Sequence, residues 1–241
     1  MLVVFARESD HTAQNLVRRW ADRGAVLMTP RDLSRAGWYC TSSSTADWRC
    51  VLGGAEHEVS EISGVLMRWA AVLASDLPHI QPANRTYVAA EMNAFLIYWL
   101  NVLDCPVLNR PTPRSLCGPG WYPEHWMNQA SRIGMRVRTV ERSISQTCIQ
   151  PPAWPPHGGP FLELTIVGQS CFGTASRGLV SKALALAKLA GTDLVRFRFD
   201  KDAVDACFLE ADLFPPLSDE AVERAVLTYL SKGRRGAAPT N

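Results

Sequence analysis

The chain has 241 residues, 47% of them hydrophobic and 20% charged, with a formal net charge of +2. That length holds one large domain or two small ones, with a core that needs no metal or disulfide staples. The composition excludes disorder over most of the chain, and the near-neutral balance gives no electrostatic footprint for nucleic acid.

Residues 2–6 (LVVFA) read as a buried strand. Residues 11–23 follow as an amphipathic helix, with Leu16, Val17 and Trp20 on one side and Gly24 as its stop. Residues 25–28 form a second strand closed by Pro30, and this β-α-β opening predicts a parallel sheet. Residues 38–52 read as a short hairpin or extended excursion, and 64–69 as another buried strand. The clearest helix covers 83–103, where Tyr87, Met92, Phe95, Leu96 and Trp99 recur at helical spacing. A strand at 105–109, a helix at 121–134 closed by Gly134 and a strand at 135–140 complete the first part.

The texture changes after Glu141. Residues 150–160 (QPPAWPPHGGP) can only be loop or linker. Residues 161–168 alternate like a half-buried strand, and 176–190 form a helix capped by Gly191. Two strands, 194–199 and 206–213, are separated by a turn at Asp200-Lys201-Asp202. Ser218 is expected to N-cap a last helix to about Leu230, with Asp219 and Glu220 in its first turn. No internal repeat is visible.

The motifs of common chemistries are missing. Seven scattered cysteines form no CxxC pair, and none of the five histidines has metal-ligand spacing. No GxSxG, GxGxxG or P-loop is present. The only lysines are Lys182, Lys188, Lys201 and Lys232, so no lysine-dependent step can occur in the first 181 residues. The apolar start is interrupted at Arg7, and the longest apolar stretch, near 95–103, is too short to span a bilayer. A cytoplasmic chain without membrane contact is the expectation. Three residues are weak catalytic candidates. Cys117 lies in the loop Leu116-Cys117-Gly118-Pro119-Gly120, on the carboxyl side of a strand where α/β ligands gather. Glu124 and His125 sit together in Tyr122-Pro123-Glu124-His125-Trp126. Trp121, Trp126 and Trp154 read either as core plugs or as an apolar patch for a peptide or partner subunit.

The order of weak motifs resembles the ATP-grasp superfamily, in its glutathione-synthetase-like, RimK-like and peptide-modifying (graspetide-type) ligases. Met67-Arg68-Trp69 is similar to the family's strand with a substrate-side arginine. Pro106-Val107-Leu108-Asn109-Arg110-Pro111 is similar to "pvlN.P", and the run from Ala130 to Thr139 to "A…Gl.vP.T". Glu163–Gly168 resembles "ElRv.vvG", and Phe208–Pro215 resembles "flEvNpfP". The resemblance implies an α/β fold. An N-terminal pre-ATP-grasp-like parallel sheet with helices (1–141) precedes a Pro/Gly-rich linker (142–160). A reduced ATP-grasp-like C-terminal α+β part (161–232) and a frayed tail (233–241) complete it. It implies carboxylate or peptide binding by Arg68, Asn109 and Arg110, whose strand-end positions suit a carboxylate clamp.

The departures from the family pattern matter as much. An ATP-grasp site needs lysines to neutralise nucleotide phosphates, carboxylates with an Asn to hold Mg²⁺, and a lid over the adenine. Only 22 residues separate Thr139 from Leu162, too few for a helix-covered lid of several strands. The arginine of "ElRv" is Thr165, the aspartate of the penultimate strand is Arg198, and the Asn position is Asp212. Glu210 is retained, and Glu210 with Asp212, joined by Asp200, forms a weak candidate metal set against the alternative of a cross-strand salt bridge to Arg198. The reading is a truncated, degenerate ligase without cofactor. It would bind a peptide, a small carboxylate or an intact ATP-grasp ligase, as a homo-oligomer or heteromer. A minimal active carboxylate–amine ligase using ATP and Mg²⁺ is the alternative, and a repurposed site at Glu124, His125 or Cys117 the third.

Overall fold

The computed structural model describes residues 1–42, 44–138, 161–200 and 206–232. The first part runs β1 (Leu2–Phe5), α1 (His11–Arg19), β2 (Val26–Met28), a hairpin of β3 (Arg49–Leu52) and β4 (Ala55–Glu58), β5 (Gly64–Met67), α2 (Arg85–Val102) and β6 (Val107–Leu108). Then come α3 (Pro123–Arg132), β7 (Arg136–Val137), β8 (Leu162–Val167), β9 (Ser170–Phe172), α4 (Arg177–Ala190), β10 (Leu194–Phe199), β11 (Cys207–Asp212) and α5 (Glu220–Leu230).

The first sheet is parallel, in the order β2-β1-β5-β6. Its central strands are apolar at every position because both faces are covered, the pattern of a doubly wound sheet. α2 packs Leu96, Trp99 and Leu100 against Val3, Phe5, Val65 and Val107 on one face. On the other, Leu16 of α1 and Val222, Val226 and Leu230 of α5 meet Leu2, Val4, Leu66 and Leu108. α5 lies so close that a Cβ on Gly64 would fall 2.7 Å from the Leu230 carbonyl oxygen.

The second sheet has the order β7-β11-β10-β8-β9 and is antiparallel except where β7 joins β11. Here the alternation expected of a one-sided sheet holds. Leu164, Ile166, Val195, Phe197 and Phe199 pack under α3 and α4 with Trp126, Leu179, Ala183 and Leu186. The residues between them point to the opposite face, which no described helix covers.

Several expectations change. The division at residue 141 does not follow the sheets: α3 and β7 belong to the second layer, and α5 returns to the first. The first helix ends at Arg19, followed by a single 3₁₀ turn to Arg23. The hairpin anticipated in 38–52 lies further on, turning at Gly53 and Gly54, both at positive φ. Asp219, not Ser218, caps the last helix, its Oδ1 accepting from Ala221 N at 2.7 Å and Val222 N at 3.3 Å. The linker 142–160 with Trp154, the missing lid inferred from it, the turn at Lys201-Asp202 and the tail 233–241 lie outside the described residues.

Candidate functional site

The uncovered face of the second sheet carries a ladder of charge. Register places Arg196 opposite Asp212 and Arg198 opposite Glu210, with Thr165 and Glu163 across from the same two arginines on β8. Directly opposed residues share a face, so Glu163, Glu210 and Asp212 converge with two guanidinium groups between them. Arg196 donates to Asp212 at 2.9 Å and to Glu163 at 3.2 Å. Arg198 donates to Glu163 Oε1 through Nε (3.1 Å) and Nη2 (3.0 Å), and its Nη1 pairs with Glu210. The Phe161 ring lies 5.4 Å from the Arg198 guanidinium carbon.

A cleft of about 530 Å³ opens on this ladder. Arg196, Arg198, Glu210 and Asp212 line it, and Trp121, Pro123 and Phe214 supply apolar wall. Trp121 is half-buried, 4.4 Å from the His125 ring and 4.8 Å from the Trp126 ring between centroids. Trp126 itself is a core plug at 3% exposure. Two carboxylates at alternate positions of one strand could hold a cation. Here each is already paired with an arginine, and a guanidinium both occupies carboxylate oxygens and repels a second cation. Among the described residues no group of three or more His, Cys, Asp or Glu side chains is arranged to hold a metal ion. Asp200 works at the hairpin, its Oδ1 accepting from Cys207 N at 2.8 Å.

The expected carboxylate clamp is turned inward. Asn109 is 1% exposed, with φ of 58°, a left-handed conformation that Asn tolerates better than most residues. Its Oδ1 accepts from Thr192 Oγ1 (2.6 Å), Leu194 N (2.9 Å) and Asp193 N (3.0 Å), and its Nδ2 donates to Leu194 O (2.6 Å). It therefore staples the end of β6 to the start of β10. Arg68 donates to Asp10 Oδ2 at 2.8 Å and to Pro215 O at 3.0 Å, and Asp10 caps α1 through its other oxygen. Arg110 donates to the carbonyls of Leu100, Leu103 and Cys105, closing the C-terminal end of α2. The three are brought to the same end of the first sheet, yet their polar atoms are engaged by protein groups.

Nor do the weak catalytic candidates converge. Cys117 is fully buried, and burial pushes its thiol up to about 12, despite some relief from the Asn109 amide and the Arg68 charge. It is a packing residue rather than a nucleophile at neutral pH. Glu124 and His125 lie in the first turn of α3, where exposed His125 stands 3.3 Å from Gln129. Glu163 and Arg196 were not singled out as site residues by the sequence. The period-two register of three adjacent strands was the signal that could have found them.

No family model matches the chain, and no curated protein matches it. Comparison of folds is informative where sequence is not: the fold is that of the ATP-grasp ligases. The macrocyclase MdnC of Microcystis aeruginosa, solved with its precursor peptide MdnA, matches with a TM-score of 0.67 at 12% identity, over 95% of this chain and 99% of that one. An ATP-grasp ligase from Chryseobacterium gregarium, associated with ribosomally made peptides (RiPPs) and solved with ADP and a leader and core peptide, gives 0.64 at 11% identity, over 97% and 98%. A RimK-domain ATP-grasp protein from Sphaerobacter thermophilus gives 0.51 at 16%, over 95% and 98%. Among the described residues no helix is long and apolar enough to cross a membrane.

Proposed function

We propose that the protein is a pseudo-ligase: an ATP-grasp-like scaffold that acts by binding rather than by ATP chemistry. Its ligand is a peptide or small carboxylate of a peptide-modification pathway, or an intact ATP-grasp ligase to which it lends a surface. The carrying observation is the ion-paired face, where Arg196 and Arg198 neutralise the carboxylates that the resemblance would assign to Mg²⁺. Mg²⁺ needs oxygen ligands at about 2.0–2.1 Å in near-octahedral geometry, and two guanidinium forks hold those oxygens instead. The absence of lysine from the first 181 residues adds to this, since phosphate-binding charge is lost from the same chain. Fold neighbours solved with precursor peptides support a peptide as ligand. A sheet face that none of the described elements covers, with Trp121, Pro123 and Phe214 as apolar wall beside it, supports a partner or a second copy in the cytoplasm. Isothermal titration of the full chain with Mg²⁺–ATP is the test. No heat of binding is expected at ATP concentrations up to the millimolar range, and a micromolar dissociation constant would overturn the reading.

A second reading, a minimal carboxylate–amine ligase, rests on one feature: Glu210 and Asp212 remain on one face and line an open cleft. It would require ADP release that depends on a carboxylate substrate and disappears in Glu210→Gln.

A further inference from the structure

The carboxyl end of the first sheet holds a different place of interest. In the order β2-β1-β5-β6 the chain leaves β1 toward one edge and later returns to build the other, so the switch point lies between β1 and β5. Ligands of open α/β sheets seat at the carboxyl ends of the strands around such a point, because the diverging loops leave a crevice there. In this protein the loops after β1, β2 and β5 enclose a cleft of about 350 Å³. It shares no lining residue with the cleft on the second sheet.

Its charges are disposed in a particular way. Asp76 is already satisfied: Arg7 takes both carboxylate oxygens, at 2.7 and 3.2 Å, and Leu73 N donates to Oδ2 at 2.8 Å. The bidentate pair fixes the plane of the Arg7 guanidinium, which stays 43% exposed, and its Nη1 makes no hydrogen bond among the described residues. The exposed Arg31 guanidinium and the exposed Glu8 carboxylate line the same cleft. Neither has a hydrogen bond or ion pair among the described residues. Arg7 and Asp76 balance one another in charge, so Arg7 offers its open Nη1 as a donor while Arg31 and Glu8 supply the unpaired charges of both signs. His79, which also lines the cleft, is engaged with Ser34 Oγ at 2.8 Å. A simple anion would face Glu8, and a simple cation would face two guanidinium groups.

We propose that this crevice binds a free α-amino acid, its carboxylate on Arg7 and Arg31 and its ammonium on Glu8. Only a zwitterion satisfies both signs at once, and the volume falls in the range of small-molecule pockets, about 300–1,000 Å³. The assignment does not depend on the reading of the second sheet, and either can fail alone.

The test is an amide-resolved NMR titration of the full chain with L-alanine, propionate, ethylammonium and tri-alanine. L-alanine is expected to give saturable shifts in residues 7–9, 31 and 75–79. Propionate and ethylammonium, each carrying one of the two charges, are expected to bind about tenfold more weakly. Arg31→Ala and Glu8→Gln, both at exposed side chains, are each expected to weaken L-alanine about tenfold with an unchanged thermal transition. Absence of shifts in those segments, equal binding of propionate, or full binding by both variants would overturn the proposal. Tighter binding of tri-alanine than of L-alanine would overturn its assignment to a free amino acid. Should a variant fail to fold, the four wild-type titrations still decide.

Discussion

The two sheets of this molecule solve opposite problems. The parallel sheet is sealed by helices on both faces, and its central strands carry no polar side chain. Among the described residues the antiparallel sheet is sealed by helices on one face only, and its other face alternates glutamate, arginine and aspartate across three strands. Apolar burial yields about 25 cal/mol per Å² and is the main source of stability, whereas half-exposed ion pairs contribute about 0–1 kcal/mol each. Stability is thus concentrated in the sealed sheet and in the covered side of the other. The charged face is free to serve binding without holding the fold together.

Mutation can break or sharpen this contrast. The largest effect is expected from Val226→Asp in α5, which places an unpaired carboxylate at a fully buried position over the parallel sheet. A loss of about 4 kcal/mol or outright unfolding is expected, read by urea denaturation. Asn109→Ala comes next. It removes the staple between the sheets and takes the acceptor from the Leu194 and Asp193 amides, leaving the Thr192 hydroxyl and the Leu194 carbonyl only their bond to each other at 3.2 Å, for a loss of about 3 kcal/mol. Retention of wild-type stability in that variant would show that the two sheets do not depend on the joint. The smallest effect is expected on the open face. Arg198→Ala should change stability by no more than about 1 kcal/mol, because Glu163 and Glu210 can be rehydrated there. A loss of several kcal/mol would mean that the charged ladder is structural after all, and the contrast between the sheets would fall.

Much of this was legible in the sequence wherever the signal was local. Residues 2–6 and 64–69 read as buried strands because both faces of the first sheet are apolar, and the α2 periodicity marked the longest helix. The ion pair of Arg198 with Glu210 was readable from strand spacing. What escaped depended on partners far along the chain. Asn109 resembled a ligand clamp, but the groups that claim it, Thr192 to Leu194, lie more than 80 residues downstream. The assignment of α3 and β7 to the second layer turns on the pairing of Arg136 and Val137 with Cys207 and Phe208, which no periodicity within either segment encodes. Glu163 gained its bridging role only when three strands were set in register. The last helix was foreseen, but its cap was displaced by one residue, since Ser218 and Asp219 offer the same kind of oxygen and only geometry chooses between them.

The position of α5 bears on how the protein comes to be made. The strands it covers, β1 and β5, leave the ribosome long before residues 217–230 do. Throughout that interval Leu2, Val4 and Leu66 have one of their covering layers still unsynthesised, so the nascent first half carries an oily face into a crowded compartment. Closure of the first sheet therefore waits on the synthesis of residues 217–230, and a pause or truncation upstream of Leu217 would release a sticky, half-clad sheet rather than a smaller working domain.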